Sequence, residues 1–224
     1  MVPPVIALVG PHGVGKTTVG EALLKSFTSR GLVVGVLKST KEATGATDRP
    51  GTDTTRYRAA GARKVALWGK ELLVTYQEAP EREAFEAVLF RHFIGCDLVL
   101  AEGFKGLSFL PKIEVARQAV SRELLLLPGT VAVVADFQAE TGLPLFGFED
   151  AEALADLVVN RFCRHLEPHV ELLVDNRLVG LNRFVRRALS GTLLGFLSCL
   201  KGLPHQPEVI EIRLKRPKPS PPGK

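Results

Sequence analysis

Nine residues near the start of the chain have the types and spacing of a phosphate-binding loop. They fit the pattern G-x-x-x-x-G-K-[ST], whose glycines allow backbone N–H groups to approach a polyphosphate closely. In this pattern the lysine reaches the β- and γ-phosphates, and the hydroxyl after it holds Mg²⁺. The nine residues are Gly10, Pro11, His12, Gly13, Val14, Gly15, Lys16, Thr17 and Thr18.

The segments around this loop predict the context that the pattern needs. An apolar run at 5–9 predicts a buried strand before the loop, and a helix is predicted from about Gly15 to Arg30. A helix N-terminus adds the positive end of its dipole to the backbone N–H groups. We therefore prefer a phosphate site to a glycine-rich turn with an incidental lysine. His12 is expected to line this nucleotide site rather than to bind a metal.

The length of the chain suits one α/β domain, or one such domain with a small appendage, and the composition is ordinary for a globular protein. The chain has 224 residues, of which 46% are hydrophobic and 24% charged. No apolar run reaches the roughly 20 residues that span a bilayer, and the first residues do not have the pattern of a signal peptide. The three cysteines are odd in number and widely spaced, so we expect a reducing, cytoplasmic setting.

The net charge of +5 is modest, and part of it lies in a basic, proline-rich tail. Residues 214–224 are predicted to be disordered. A nucleotide or another anionic ligand explains this charge as well as nucleic acid does, so we do not expect a nucleic-acid partner. The predicted organisation is a P-loop domain over 1–167, a small α+β extension over 168–213 and this tail.

The alternation of apolar strands with helices predicts a three-layer α/β domain with a mostly parallel sheet. A pair of strands is predicted around Gly69 and Lys70, and the extension is predicted to form a small ββαβ unit. Sheet strands are predicted at 5–9, 32–37, 97–101, 112–116 and 131–134, and helices at 15–30, 54–60, 81–93 and 151–165. In the extension, strands are predicted at 170–174, 177–181 and 209–212, with a helix that Asn182 caps.

Acidic residues at two places are candidates for a magnesium site. Glu102 ends the apolar run 98–101, at the edge where open parallel sheets bind ligands. Asp97 starts that run and is expected at the far edge, as a cap or a solvated residue. The loop 48–58 is dense in polar groups, and in it Asp53 is a candidate Mg²⁺ ligand while Arg56 and Arg58 are candidate phosphate contacts. A solvated polar loop and a surface glutamate are the alternatives.

Three further residues follow or adjoin strand ends. Lys38 ends the second strand and Lys105 lies close to Glu102, so both are candidate contacts of the bound nucleotide. A plain exposed lysine is the alternative for Lys38. Asp136 follows the run 131–135. At this strand end its carboxylate is a candidate to accept hydrogen bonds from the N–H edge of guanine. No N/T-K-x-D motif is present to support guanine specificity, and a loop-starting cap is the alternative for Asp136.

The motifs, in this order, resemble those of the molybdopterin-guanine dinucleotide biosynthesis protein B (MobB) family. They are GPHGVGKTT, Lys38, DRPGTDTTRYRAAGA, DLVLAEGFKG and PKIEVAR, within roughly the first 135–160 residues. The resemblance implies a homodimeric, GTP-binding adaptor with weak Mg²⁺-dependent GTPase activity, in which Lys16, Asp53 and Glu102 do the chemistry. It also implies a partner, the molybdopterin guanylyltransferase that attaches GMP to molybdopterin. Molybdopterin itself or a molybdoenzyme is a further candidate partner.

Two other functions stay open at this point. One is a small P-loop kinase for a metabolite, with Arg49, Arg56 and Arg58 on a lid over the phosphates. The other is a metallochaperone GTPase, for which the cysteines are too scattered and the motif C-x-H-x₃-H at 163–169 lacks a fourth ligand. Any hydrolysis is expected to be slow, because no glutamine or arginine finger suited to the reaction is evident.

Overall fold

A computed structural model describes residues 2–40, 51–77, 85–163, 170–175, 177–203, 210–212 and 214. The strands are β1 (Val5–Val9), β2 (Val34–Lys38), β3 (Lys64–Trp68), β4 (Leu73–Gln77), β5 (Leu98–Glu102), β6 (Lys112–Val115), β7 (Thr130–Val134), β8 (Leu145–Phe146), β9 (Leu172–Val174) and β10 (Arg177–Val179). The helices are α1 (Lys16–Ser29), α2 (Asp53–Ala59), α3 (Phe85–His92), α4 (Ala151–Phe162) and α5 (Arg183–Ser198).

Six strands form one sheet in the order β2-β5-β1-β6-β7-β8, and every neighbouring pair is parallel. The predicted α/β class is therefore confirmed. Because the strands run the same way, their carboxyl ends share one edge. The register puts Leu8 of β1 and Lys38 of β2 beside Glu102 of β5. This edge is where the candidate residues meet.

Side chains on the two faces of β1 enter different parts of the core, because successive residues of a strand point to opposite faces. Ile6 and Leu8 pack in a cluster with residues of α1 and α4. Val5, Ala7 and Val9 pack in a second cluster with residues of α3. Helices thus cover both faces of the sheet, as the predicted three layers require.

Two antiparallel hairpins lie outside this sheet, as predicted. One joins β3 to β4, and the other joins β9 to β10 ahead of α5. The side chain of Asn182 accepts a hydrogen bond from the N–H of Val185 at 2.9 Å, which confirms the predicted cap. Asp97 is confirmed as a residue of the far edge, where its carboxylate accepts from the N–H of Val33 at 2.8 Å.

Three details of the prediction differ from the structure. The strand predicted at 209–212 is wrong for the described residues 210–212, which form no strand, and Ile212 there is exposed. Strand β8 was not predicted, because its two residues carry too little pattern. Helix α4 ends at Phe162, before the predicted end. The boundary between 167 and 168 and most of the predicted tail lie outside the described residues.

Strand β6 contains two fully buried charged residues, which is unusual and structurally informative. The ammonium of Lys112 donates to the carbonyls of Leu107, Leu110 and Pro128 at 2.6, 3.0 and 2.7 Å. The carboxylate of Glu114 accepts from two consecutive backbone N–H groups in the loop after β6. These two residues hold the loops on either side of β6 against the sheet.

Two predictions from the sequence concern the cysteines and membrane-spanning segments. Cys96, Cys163 and Cys199 are all free thiols, in line with the absence of a disulfide framework. Among the helices that the structure describes, none combines the length and apolar character of a bilayer-spanning segment.

Candidate functional site

The predicted phosphate-binding loop leaves β1 at the carboxyl edge of the sheet and opens α1. Gly10 lies so close to β6 that a Cβ there would collide with the carbonyl oxygen of Val115. Gly15 has φ 94°, in the left-handed region that favours glycine, directly before the helix begins. Gly10 and Gly15 therefore explain how the loop makes a tight turn against the sheet, as the sequence pattern predicts.

Lys16 is the central cation of this loop. Its ammonium donates to the carbonyls of Pro11 at 2.6 Å and Gly10 at 3.3 Å, so the loop curls around it. His12, Gly13, Thr17 and Thr18 are exposed at the loop surface. The predicted loop residues therefore lie together around Lys16, and four of them are exposed.

A chain of polar contacts crosses the sheet edge beside the loop. The hydroxyl of Thr17 donates to Oε2 of Glu102 at 3.0 Å. The ammonium of Lys38 forms an ion pair with Oε1 of the same carboxylate at 3.1 Å. The structure thus brings together three residues that the sequence predicted separately, from the loop, β2 and β5.

Positive charge exceeds negative charge around Glu102. Burial lowers the pKa of Lys16, Glu102 raises it, and the nearby charges of Lys105 and Lys38 lower it, so the net pKa lies below its ordinary value. The positive charges of Lys16, Lys38 and Lys105 therefore outnumber the single negative charge of Glu102. A polyanion relieves the repulsion among them, because each phosphate oxygen adds an opposite charge.

The lowered pKa of Lys16 predicts how phosphate binding depends on pH. The protonated form binds phosphate, so affinity is full below the pKa and falls as pH rises through it. Because the pKa is lowered, the fall is expected to begin below the value set by an ordinary lysine at 10.5. Titration with Mg²⁺-tripolyphosphate from neutral pH upward checks this. Lys16→Arg keeps its charge and should remove the early part of the alkaline fall, and an equally early fall in that variant would assign it to another group.

Asp53 and Arg56 lie on α2, where the structure pairs them with each other at 3.7 Å. Arg58 lies over the ring of Tyr76, at 5.9 Å from its centroid. No contact in the described part of the chain joins these three side chains to Lys16 or Glu102. The roles of Asp53 and Arg56 stay predictions, and Arg49 lies outside the described residues.

Asp136 lies after β7 and acts as a cap for a neighbouring loop. Its Oδ1 accepts from the N–H of Gln118 at 2.6 Å. The residue also lines an open groove of about 610 Å³ beyond β7 and β8. The cap is therefore seen in the structure, while the predicted contact with a base stays a prediction.

Arg117 and Phe148 are neighbours of the loop that the prediction did not single out. The guanidinium of Arg117 lies over the ring of Phe148 at 4.4 Å, and both side chains contact the position of Gly15. Arg117 is the last residue of the PKIEVAR motif, which is the signal that could have identified it. Phe148 carries no such signal.

The described residues contain no group of three His, Cys, Asp or Glu side chains that could hold a metal ion by themselves. His165 and His169 of the C-x-H-x₃-H motif lie outside the described residues. Nothing within the described ranges therefore favours a metallochaperone.

The fold and the loop together define a class of protein. A parallel sheet whose first strand leads into G-x-x-x-x-G-K-T, and whose neighbouring strand ends in an acidic residue, is a P-loop α/β fold. The chain belongs to the MobB family, because the family profile "Molybdopterin guanine dinucleotide synthesis protein B" matches residues 5–136. This confirms the resemblance that the motifs indicated.

Relatives and solved structures agree with this assignment. The molybdopterin-guanine dinucleotide biosynthesis adapter protein of Escherichia coli is 29% identical over 162 residues, covering 70% of this chain and 91% of its own. The Haemophilus influenzae adapter protein is 30% identical over 160 residues, covering 70% and 88%. The structure of Bacillus subtilis MobB is 27% identical with a TM-score of 0.56, covering 71% of this chain and 98% of that one. A MobB homologue from Bacillus stearothermophilus, 24% identical, has the same fold with a TM-score of 0.52 over 72% and 98% of the two chains.

Proposed function

We propose that this protein is a GTP-binding adaptor in the biosynthesis of molybdopterin guanine dinucleotide. The observation that carries the nucleotide site is the chain of contacts from Thr17 through Glu102 to Lys38, directly beside Lys16. This group of residues supplies cations for phosphates and oxygen donors for a metal at one edge of the sheet. The relatives named adapter proteins support the pathway and the accessory role.

The residues at this edge fit Mg²⁺. The Thr17 hydroxyl and a Glu102 carboxylate oxygen lie 3.0 Å apart, and hard oxygen donors are the ligands that Mg²⁺ prefers. Bound Mg²⁺ neutralises charge on the phosphates it contacts. Lys38 competes with it for Glu102, so we propose that Lys38 turns to a phosphate when Mg²⁺ and nucleotide bind. Asp53 is proposed as a second acidic group, which approaches through movement of α2.

Hydrolysis by this site is proposed to be slow. Fast P-loop GTPases orient the attacking water with a glutamine and stabilise the transition state with an arginine. In the described ranges, no glutamine contacts Lys16, Thr17 or Glu102, and Arg56 and Arg58 contact Asp53 and Tyr76. The geometry therefore favours a protein that binds GTP and presents the bound state to a partner.

The proposed metal site predicts a selective effect of Glu102→Gln. Glutamine keeps the size and one oxygen of the side chain but loses the charge that attracts Mg²⁺. We expect the gain in GTP affinity on adding Mg²⁺ to fall by about tenfold, the scale of one charged contact, and any GTPase activity to fall with it. Calorimetric titration with GTP, with Mg²⁺ and with EDTA, measures this gain.

The matched control for this variant is Glu123→Gln, on an exposed residue of the loop after β6. It should leave the Mg²⁺ dependence unchanged. An unaltered Mg²⁺ response in Glu102→Gln would remove this residue from the metal site.

The proposed partner is the molybdopterin guanylyltransferase, with molybdopterin or a molybdoenzyme as further candidates. We also propose a homodimer, supported by the apolar surface of the β3–β4 hairpin, where Trp68 is 88% and Leu72 68% exposed. Co-purification with the guanylyltransferase tests the first proposal. Sedimentation velocity tests the second, since a monomer at all concentrations would contradict it.

A further inference from the structure

The stack of Arg117 on Phe148 lies at one side of the phosphate-binding loop. An ideal Cβ on Gly15 would lie 3.1 Å from Cε1 of Phe148 and 3.4 Å from Nη2 of Arg117. The two planar groups, which come from the end of β6 and the segment before α4, therefore pack directly against the loop backbone. Glycine at position 15 leaves room for both.

The side chain of Arg117 has one polar atom that no contact within the described protein satisfies. Its Nε is buried, and among the described residues it has no hydrogen-bond partner. Its guanidinium carbon lies 4.4 Å from the centroid of the Phe148 ring, and this contact does not satisfy the N–H of Nε. A buried donor without a partner is costly, which indicates that another group completes it.

An open groove continues from this stack away from the loop. Its volume is about 610 Å³, within the range of small-molecule sites. Phe148 is part of its wall, and Asp136 lies on its lining. The groove therefore adjoins the loop through the stack and has an acceptor on its surface.

The strand order decides which way a nucleotide extends from the loop. Strand β1 has β5 on one side and β6 on the other. Thr17, Glu102 and Lys38 place the metal and terminal phosphate on the β5 side. With the metal and terminal phosphate of the proposed function on the β5 side, the nucleoside end is expected to extend toward β6 and β7, where the stack and the groove lie.

We infer that the Arg117–Phe148 stack is the wall that holds the nucleoside of the bound nucleotide, with the groove receiving its purine base. Planar aromatic and guanidinium groups stack on bases, and a guanidinium N–H can donate to the ribose or the base. Guanine then presents its N–H edge to the acceptor Asp136. This inference rests on the proposed function, since it concerns the other end of the same nucleotide.

The test separates the nucleoside from the phosphates. Arg117→Gln and Phe148→Leu are titrated with Mg²⁺-GTP and with Mg²⁺-tripolyphosphate, which has phosphates and no nucleoside. Each variant is expected to bind GTP about tenfold more weakly, the lower end of what one stacked base contributes, and tripolyphosphate within about twofold of the wild type. The control is Arg161→Gln, because Arg161 also lies over an aromatic ring, at 5.6 Å from Phe162, but at the opposite end of α4.

Unchanged GTP affinity in both variants would overturn the inference. An equal loss for both ligands would also overturn it, and would make the stack a support of the phosphate loop only. Retained binding of tripolyphosphate shows that a variant is folded. If the wild type binds tripolyphosphate and not GTP, the proposed function fails before the inference is reached.

Discussion

Replacing Lys16 with alanine is expected to weaken binding of Mg²⁺-GTP by about 100-fold, the scale of two strong charged hydrogen bonds. The ammonium lies inside the loop, where it donates to the carbonyls of Gly10 and Pro11. When the nucleotide binds, the ammonium exchanges its contacts with these neutral carbonyls for contacts with charged phosphate oxygens. Charged oxygens are the stronger acceptors. Isothermal titration calorimetry measures the affinity directly.

The same substitution on the outer surface of α1 is the control for this prediction. Lys25→Ala removes an equal charge from an exposed residue of the same helix and should change affinity less than about twofold, because exposed charges are screened. Tripolyphosphate affinity should fall with GTP affinity in Lys16→Ala. Wild-type GTP affinity in that variant would show that the nucleotide binds elsewhere.

The second large effect is on stability, and it comes from the buried lysine of β6. Lys112→Met is expected to lower the free energy of unfolding by about 2–4 kcal/mol, because a buried donor that serves several acceptors is lost. Methionine fills a similar volume, so the loss reports on polar contacts more than on a cavity. Three carbonyls, of Leu107, Leu110 and Pro128, are left without the ammonium. Urea unfolding followed by circular dichroism measures the change.

Lys64→Met provides the comparison for this result, because Lys64 is an exposed lysine on a strand. It should shift the unfolding free energy by less than about 0.5 kcal/mol. Burial lowers the pKa of Lys112, so its neutral form is more accessible than that of an exposed lysine. Equal stability of Lys112→Met and the wild type would show that the three contacts contribute nothing measurable.

The sequence was most informative where local pattern and chemistry coincide. The glycine spacing at Gly10 and Gly15 predicts the loop, and the apolar run before Glu102 predicts its place at a strand end. Parallel strands align their carboxyl ends, so the meeting of Glu102 with Lys38 follows once both strands are assigned. The three-layer sheet could be predicted for the same reason, because buried parallel strands read as continuous apolar runs.

Other features depend on tertiary packing, which a single sequence does not show. Lys112 and Glu114 look like surface charges in a short strand, and only the folded loops turn their backbone groups toward them. Arg117 and Phe148 are distant in sequence and meet only because β6 and the segment before α4 both end beside the loop. The strand predicted at 209–212 had a suitable apolar pattern, but the described residues 210–212 form no strand and Ile212 is exposed.

The most direct test of the proposed function is calorimetry of the wild-type protein with Mg²⁺-GTP and Mg²⁺-ATP under the same conditions. The proposal predicts one GTP bound per chain, with affinity at least about tenfold higher than for ATP, since one base contact of this kind contributes about 1.4 kcal/mol or more. Binding of neither nucleotide, or a clear preference for ATP, would contradict it.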